Sequence, residues 1–355
     1  MSLNLARPDL LRFVPYSSAR KESAAAAVML NANELPWAPF AGGDGLNRYP
    51  DPQPAALLLR LADIYGVTAE QLLVGRGSDE AIDLLIRGFC RAEHDAIVIS
   101  PPTFGMYRVC AQLQGAEVVE VPLQASEGFA LRPQALIDAA LARSAKLVFI
   151  CSPNNPTGQL ASREAILAVA DALDERALVI VDEAYVEFAD QPSLSEAMPG
   201  RSNLLVLRTL SKAFGLAGAR IGSLIGSPAI IAFLRGLMAP YPLSAPSVAA
   251  ALEALSDTRT EAFSGHLAQI KAERTELAER LQAYPEVIRV WPSDANFLCV
   301  QWRDACAVAA RLAARGIVVR DLSRYPGLSQ CLRLSIGTSA ENAAVLSALA
   351  AEECA

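Results

Sequence analysis

Lys212 stands in "RTLSKAFGLAGARIG" (208–222), directly after the apolar run "NLLVLRT" (203–209) and before a string of small residues. An apolar run, a polar pair, then alanines and glycines reads as a buried strand ending in a tight turn. An ammonium at such a place is expected to be desolvated, and a second cation, Arg220, follows eight positions on. Both effects lower a lysine pKa and leave a nucleophilic amine, the reagent for a Schiff base. The small residues beside it let another group approach closely.

Further polar groups follow apolar runs elsewhere. "VIVDEAYVEF" (179–188) ends an almost wholly apolar strand with Asp182 and Glu183. Buried acids need a cationic or hydrogen-bonding partner, although a strand-end acid can also simply cap the next turn. "CSPNNPTG" (151–158) sets Asn155 after "KLVFI", in a composition that also makes an ordinary turn. "PPTFGMY" (101–107) offers Phe104 as a core residue or as a flat face for stacking. "GRGSDE" (75–80) leads into a helix whose first N–H groups suit an anion. One ligand meets all of these groups. It has a flat ring for Phe104, a ring cation for Asp182 and a ring oxygen for Asn155. It also has a phosphate for the helix start with Ser211 and Arg220, and an aldehyde for Lys212. That ligand is pyridoxal 5′-phosphate.

Such groups converge only if the elements carrying them share one sheet edge. From about residue 55, helical stretches such as "SDEAIDLLIRGFC" (78–90) and "MYRVCAQLQG" alternate with strand-like runs such as "AIVIS" (96–100), "KLVFICS" (146–152) and "ALVIVDEAY" (177–185). The alternation predicts an α/β fold with a mostly parallel central sheet flanked by helices, whose ligands bind beyond the strand C-termini. After about residue 245 come long helices, bent or broken around 256–264, then strands in "VIRVWPSDANFLCVQW", "GIVVRD" and "CLRLSIG" around the helix "CAVAARLAARG". This α+β pattern predicts a smaller second domain. The expected division is a large domain at 45–260, an N-terminal arm at 1–44 and a small C-terminal domain at 261–355.

Composition narrows the chemistry further. The 355 residues are 52% apolar and 19% charged, enough for a sizeable core. A net charge of −7 argues against a general binder of nucleic-acid backbone. Apolar windows are broken by charges such as Arg235, short of the ~20 residues a membrane span needs, and the N-terminus lacks the apolar core of a signal peptide. The seven cysteines include no C-x-x-C pair, which points to reduced thiols in a cytoplasm and to no metal site. The only histidines, His94 and His266, lack partners at ligand spacing, which disfavours zinc chemistry and a histidine base.

The motifs together are highly specific. "LNANE" (30–34), "NRYP" (47–50), "CSPNNPTGQL", "DEAYVEF", "RTLSKAFGLAGARIG", "APYPLS" (239–244) and "CLRLSIGT" (331–338), with "PYSSAR" (15–20), run nearly end to end. The chain resembles the fold-type I pyridoxal-phosphate transferases, class II subfamily, and within them the histidinol-phosphate aminotransferase family. The resemblance implies a catalytic Lys212 that carries the cofactor and moves a proton, with Asp182 on the ring nitrogen. Asn155 and Tyr185 would bond the ring hydroxyl oxygen, and Phe104 would stack on the ring. Ser78, Asp79, Thr209 or Ser211, and Arg220 would hold the phosphate, joined by Tyr49 from a partner subunit of a homodimer. Tyr16, Asn33, Arg320 and Arg333 would bind substrate. The implied partners are histidinol phosphate, glutamate and 2-oxoglutarate, with no nucleic acid and no membrane. Two departures are visible: Phe104 stands where many relatives have tyrosine, and Ala219 where leucine is more common. A threonine-phosphate decarboxylase-like lyase, an aromatic aminotransferase and a non-catalytic cofactor-binding regulator remain alternatives.

Overall fold

The run Leu178–Asp182 has no polar residue before its last position, and such a strand is stable only with both faces covered. In the computed structural model it is the middle strand of a seven-stranded sheet. The structure describes residues 2–16, 28–257 and 260–350. Ser17–Arg20 of the "PYSSAR" stretch, most of the alanine-rich run at 23–28, Cys354, and residues 258 and 259 within the expected helix break lie outside them.

The strands are β1 (Leu72–Gly75), β2 (Ala96–Ile99), β3 (Glu117–Glu120), β4 (Leu147–Cys151), β5 (Leu178–Asp182), β6 (Leu204–Thr209) and β7 (Gly222–Ile225), in the spatial order β1-β7-β6-β5-β4-β2-β3. Pairing is parallel from β3 through β6, and antiparallel where β7 joins β6 and β1. Two antiparallel steps return β1 to the direction of β6. The C-terminal ends of β1, β2, β4, β5 and β6 therefore lie along one edge. β7 reads as a strand in the sequence, but β1 is visible there only as the approach to a helix, because its four residues give no period.

The helices are α1 (Ala55–Tyr65), α2 (Ser78–Phe89), α3 (Met106–Gln114), α4 (Pro133–Ala142), α5 (Arg163–Ala172), α6 (Pro228–Leu237) and α7 (Ala245–Ala254). Val179 and Val181 pack with α1, α4, α5 and α7 in one apolar cluster. Leu178 and Ile180 pack with α2, α3 and α6 in the other. Side chains alternate along a strand, so Asp182 continues the α2/α3 face and Glu183 turns to the opposite one.

That alternation gives the two neighbouring acids different partners. Glu183 is held on its face by Ser193 Oγ, by the Leu194 N–H at 2.7 Å and by Arg208 at 3.7 Å. Arg208 also pairs with Glu187 at 2.7 Å and lies 4.6 Å from the centre of the Tyr65 ring. All three charged groups are buried to within 8% side-chain exposure.

A second sheet, of order β10-β11-β9-β8 and antiparallel throughout, is built from β8 (Val287–Val290), β9 (Phe297–Trp302), β10 (Arg320–Asp321) and β11 (Cys331–Ser335). Helices α8 (Thr260–Gln282), α9 (Ala305–Ala314) and α10 (Ser339–Ala350) cover one face, with Leu277, Leu281, Val300, Trp302, Leu312, Leu332 and Leu346 in a shared core. The strand expected over "GIVVRD" shrinks to two residues. Ile317 and Val319 rest partly on that core while Val318 is 90% exposed, so only Arg320 and Asp321 reach a partner strand. Among the described residues no helix is long and apolar enough to cross a membrane.

Removing Arg208 would leave Glu183 and Glu187 buried without a cation. Arg208→Ala is expected to cost about 3–5 kcal/mol in a denaturant titration. A loss below about 1 kcal/mol would mean that the two glutamates find other partners.

Candidate active site

The shared strand edge opens into a cavity of about 500 Å³. Each wall follows from a strand end. β1 leads through Gly77 into α2, presenting Ser78 and Asp79, while the turn after β2 presents Phe104. The loop after β4 brings Asn155, the end of β5 brings Asp182 and Tyr185, and β6 with its following turn brings Thr209, Ser211, Lys212 and Arg220. From the second sheet come Arg320 and Arg333. These twelve expected residues all line one space. Tyr16, Asn33 and Tyr49 do not. Tyr16 borders a different hollow with Phe13, Gln53 and Arg235, and Asn33 and Tyr49 border a third. Tyr49 stacks on Tyr241 with ring centres 4.4 Å apart.

The anion-accepting end is built around α2. Gly77 is its N-cap, with φ at 82°. A Cβ there would fall 2.7 Å from Arg220 Nη2, and one on Gly222 would fall 2.3 Å from the Ser78 nitrogen. Both positions must lack a side chain for the helix start, Arg220 and β7 to come together. Arg220 reaches Asp79 at 3.2 Å and Ser211 Oγ at 3.4 Å, and the Thr209 and Ser211 hydroxyls lie 3.0 Å apart. Free N–H groups, two hydroxyls and a guanidinium form a seat for a dianion.

Across the cavity, Asp182 is 2% exposed. It accepts a hydrogen bond from Tyr107 Oη at 2.6 Å on one oxygen and from the Ala184 N–H at 3.1 Å on the other. Burial raises its pKa from 3.8 to about 6, against the lowering effect of those two bonds. The carboxyl therefore lacks the cation that its position calls for.

Lys212 lines the cavity and is exposed on that side. Its pKa is still lowered, first by partial desolvation and then by Arg333 and Arg220. Its amine has no hydrogen bond or ion pair among the described residues and lies 5.6 Å from the centre of the Tyr185 ring. Burial raises the Tyr185 phenol, which stays a neutral hydroxyl and accepts a bond from Asn155 Nδ2 at 3.3 Å. Asn155 Oδ1 accepts from Arg333, so one amide joins the two sheets. Arg320 and Arg333 are directly opposed across β10 and β11. Like charges so placed are unfavourable on their own and suit an anionic guest.

Tyr107, Cys151 and Tyr325 were not singled out by sequence reasoning. Cys151 and Tyr325 line the cavity, and Tyr107 reaches it through Asp182. The signal for Tyr107 was its place three residues after Phe104, at the start of the helix that follows.

With the geometry in view, three comparisons bear on the chain. The profile of the family described as aminotransferase class I and II matches residues 15–349. A histidinol-phosphate aminotransferase of Stenotrophomonas maltophilia is 49% identical, over 99% of this chain and 98% of that protein. Among solved structures, the histidinol-phosphate aminotransferase of Clostridium acetobutylicum superposes with a TM-score of 0.80 at 26% identity, covering 88% of this chain and 92% of that one. That of Sinorhizobium meliloti, in complex with pyridoxal-5'-phosphate, does so at 0.75 and 28%, covering 85% and 82%.

Gly77→Ala strains a positive φ and pushes on Arg220. It is expected to weaken inorganic phosphate binding by about tenfold in calorimetry while the fold is kept. Unaltered phosphate affinity would show that the α2 start is not the anion seat.

Proposed function

The chain belongs to the class I and II aminotransferases, and we propose that it interconverts L-histidinol phosphate and 2-oxoglutarate with imidazole acetol phosphate and L-glutamate. The observation that carries the substrate reading is the opposed pair Arg320 and Arg333 at one end of a cavity whose other end is already an anion seat. A phosphate-ended amine places its anion on the arginine pair, and a dicarboxylate uses the same forks.

We assign pyridoxal 5′-phosphate as the cofactor. The residues fit it on three counts: a cradle closed by Gly77 and Gly222, a buried acid without a cation, and an amine without a partner. When bound, this group supplies an electron sink and an amino-group carrier. The remaining work falls to the chain. Ser78, Asp79, Thr209, Ser211 and Arg220 would hold the phosphate. Asp182 would pair with the ring nitrogen, its own burial being relieved by a cation there. Phe104 would lie against the ring, and Asn155 and the Tyr185 hydroxyl would bond the ring oxygen. Lys212 Nζ, its pKa lowered by partial desolvation and by the cations Arg333 and Arg220, would be the group that accepts and returns the substrate Cα proton. Arg333, bonded to Asn155, ties substrate recognition to that ring oxygen.

Tyr16, Asn33 and Tyr49 enter through a second copy. Tyr16, Leu35, Trp37 and Phe40 are each more than 60% exposed, an apolar surface suited to burial between subunits. In the homodimer Tyr49 reaches the partner's phosphate seat, and Tyr16 and Asn33 complete a substrate pocket.

The deciding experiment mixes cofactor-loaded protein with histidinol phosphate, phenylalanine or threonine phosphate and follows absorbance. Histidinol phosphate should bleach the bound cofactor fastest and without release of carbon dioxide, and Lys212→Ala should yield no borohydride-trapped label. Carbon dioxide from threonine phosphate would make the chain a lyase instead.

Asp182 also gives a pH prediction. Its folded pKa lies above the unfolded one, so the folded state binds the extra proton. The resulting cost is absent below pH ~4, grows towards pH 6 and is complete above it, at about 3 kcal/mol. Cofactor-free Asp182→Asn should therefore be at least as stable as wild type at pH 8 by thermal melting, yet its turnover with cofactor should fall at least about 100-fold. A near-normal rate would remove Asp182 from the ring nitrogen.

A further inference from the structure

The hydrogen bond from Tyr107 to Asp182 carries an inference about how the acid is set. Tyr107 is wholly buried in the first turn of α3, three residues past Phe104. Its ring stacks on Phe149 with centres 4.8 Å apart and planes 13° from parallel, and it meets Phe104 edge-on at 5.6 Å. With the ring clamped from two sides, the hydroxyl donates to Asp182 Oδ2 at 2.6 Å. The Ala184 N–H fixes the other oxygen. The carboxylate's remaining acceptor positions face the cavity that Asp182 lines.

We propose that Tyr107 is the positioning residue of the Asp182 carboxylate, aiming it into the cavity and holding it as an ionised acceptor. The proposal deepens the cofactor reading above and rests on it for its catalytic meaning. Phe104 and Asp182 then have a common support. The same phenol ring that fixes the acid also backs the flat face above the cavity, so stacking and ring-nitrogen contact are set by one side chain. Other groups face Asp182 from each element packed around it. The Cys151 thiol comes from β4, lies beside the Tyr107 hydroxyl, and is kept protonated by burial. Asp79 on α2 disfavours the charge on Asp182, and Lys212 after β6 favours it. Both act through space. Tyr107 is the only side chain that hydrogen-bonds Asp182 among the described residues, so it has the largest specific hold on it.

The test is a titration of the Asp182 carboxyl in the full-length, cofactor-free chain. It uses carboxyl-labelled aspartate read by carbon NMR, with Asp182→Asn to assign the resonance. Tyr107→Phe keeps the ring between Phe149 and Phe104 and removes only the donor. The midpoint should move up by about one to two pH units, the worth of a hydrogen bond to a charged group. A midpoint within about 0.3 unit of wild type overturns the proposal, whatever happens to the melting temperature. Should Tyr107→Phe not fold, fluorotyrosine placed at position 107 keeps the shape and makes a stronger donor. The midpoint should then move down, and an unmoved one overturns the proposal equally. Because the titration contains no cofactor, its outcome is independent of the Asp182→Asn turnover that decides the cofactor reading.

Discussion

A carboxylate buried at the end of the middle strand of the sheet, against a cavity, is the constraint on which the rest of the structure turns. Asp182 ends a strand whose other four residues are buried aliphatics, and ionising it there is unfavourable without a cation or strong donors. The protein supplies two hydrogen bonds and leaves the third requirement to a ligand. Its raised pKa records that imbalance. Sheet order, the glycine cradle at the start of α2 and the placement of Lys212 bring the other cavity groups to face that one acid.

The neighbouring Glu183 shows the contrasting solution. Turned to the opposite face by the strand's alternation, it meets Arg208, Ser193 and the Leu194 N–H, and its charge is answered within the chain. Adjacent residues of the same chemistry thus differ by face alone. One is part of an ion pair within the core, and the other lines the cavity with two hydrogen bonds and no paired cation among the described residues. The two sheets are joined on the binding side by Arg333 and Asn155 and, further out, by Asp294, whose carboxylate accepts the Leu160 N–H and whose own N–H bonds Gly158. Arg333 is therefore anchored on the loop that carries Asn155, and both face the cavity.

Much of the site is legible in the sequence because its groups sit at strand ends, where an apolar run stops and a polar residue follows. Lys212, Asp182 and Asn155 announce themselves in that way, and the small residues around Lys212 and before Ser78 mark where backbone must come close. Other parts carry no such mark. β1 is too short to show a period. Tyr107 looks like any aromatic on an amphipathic helix until the fold sets its hydroxyl against the acid.

By itself the sequence determined the alternation of strands and helices, the burial of the strand runs and the set of chemical types available. Those follow from local pattern and composition, which a linear chain carries in full. Only the tertiary structure decided which acid faces the cavity, which glycines admit Arg220 and β7 to the helix start, and that Arg320 and Arg333 stand opposite one another. The first two depend on contacts between residues 75 and 144 positions apart, and the third on the register of β10 against β11. Such distances are closed by packing rather than by any preference of the residues themselves.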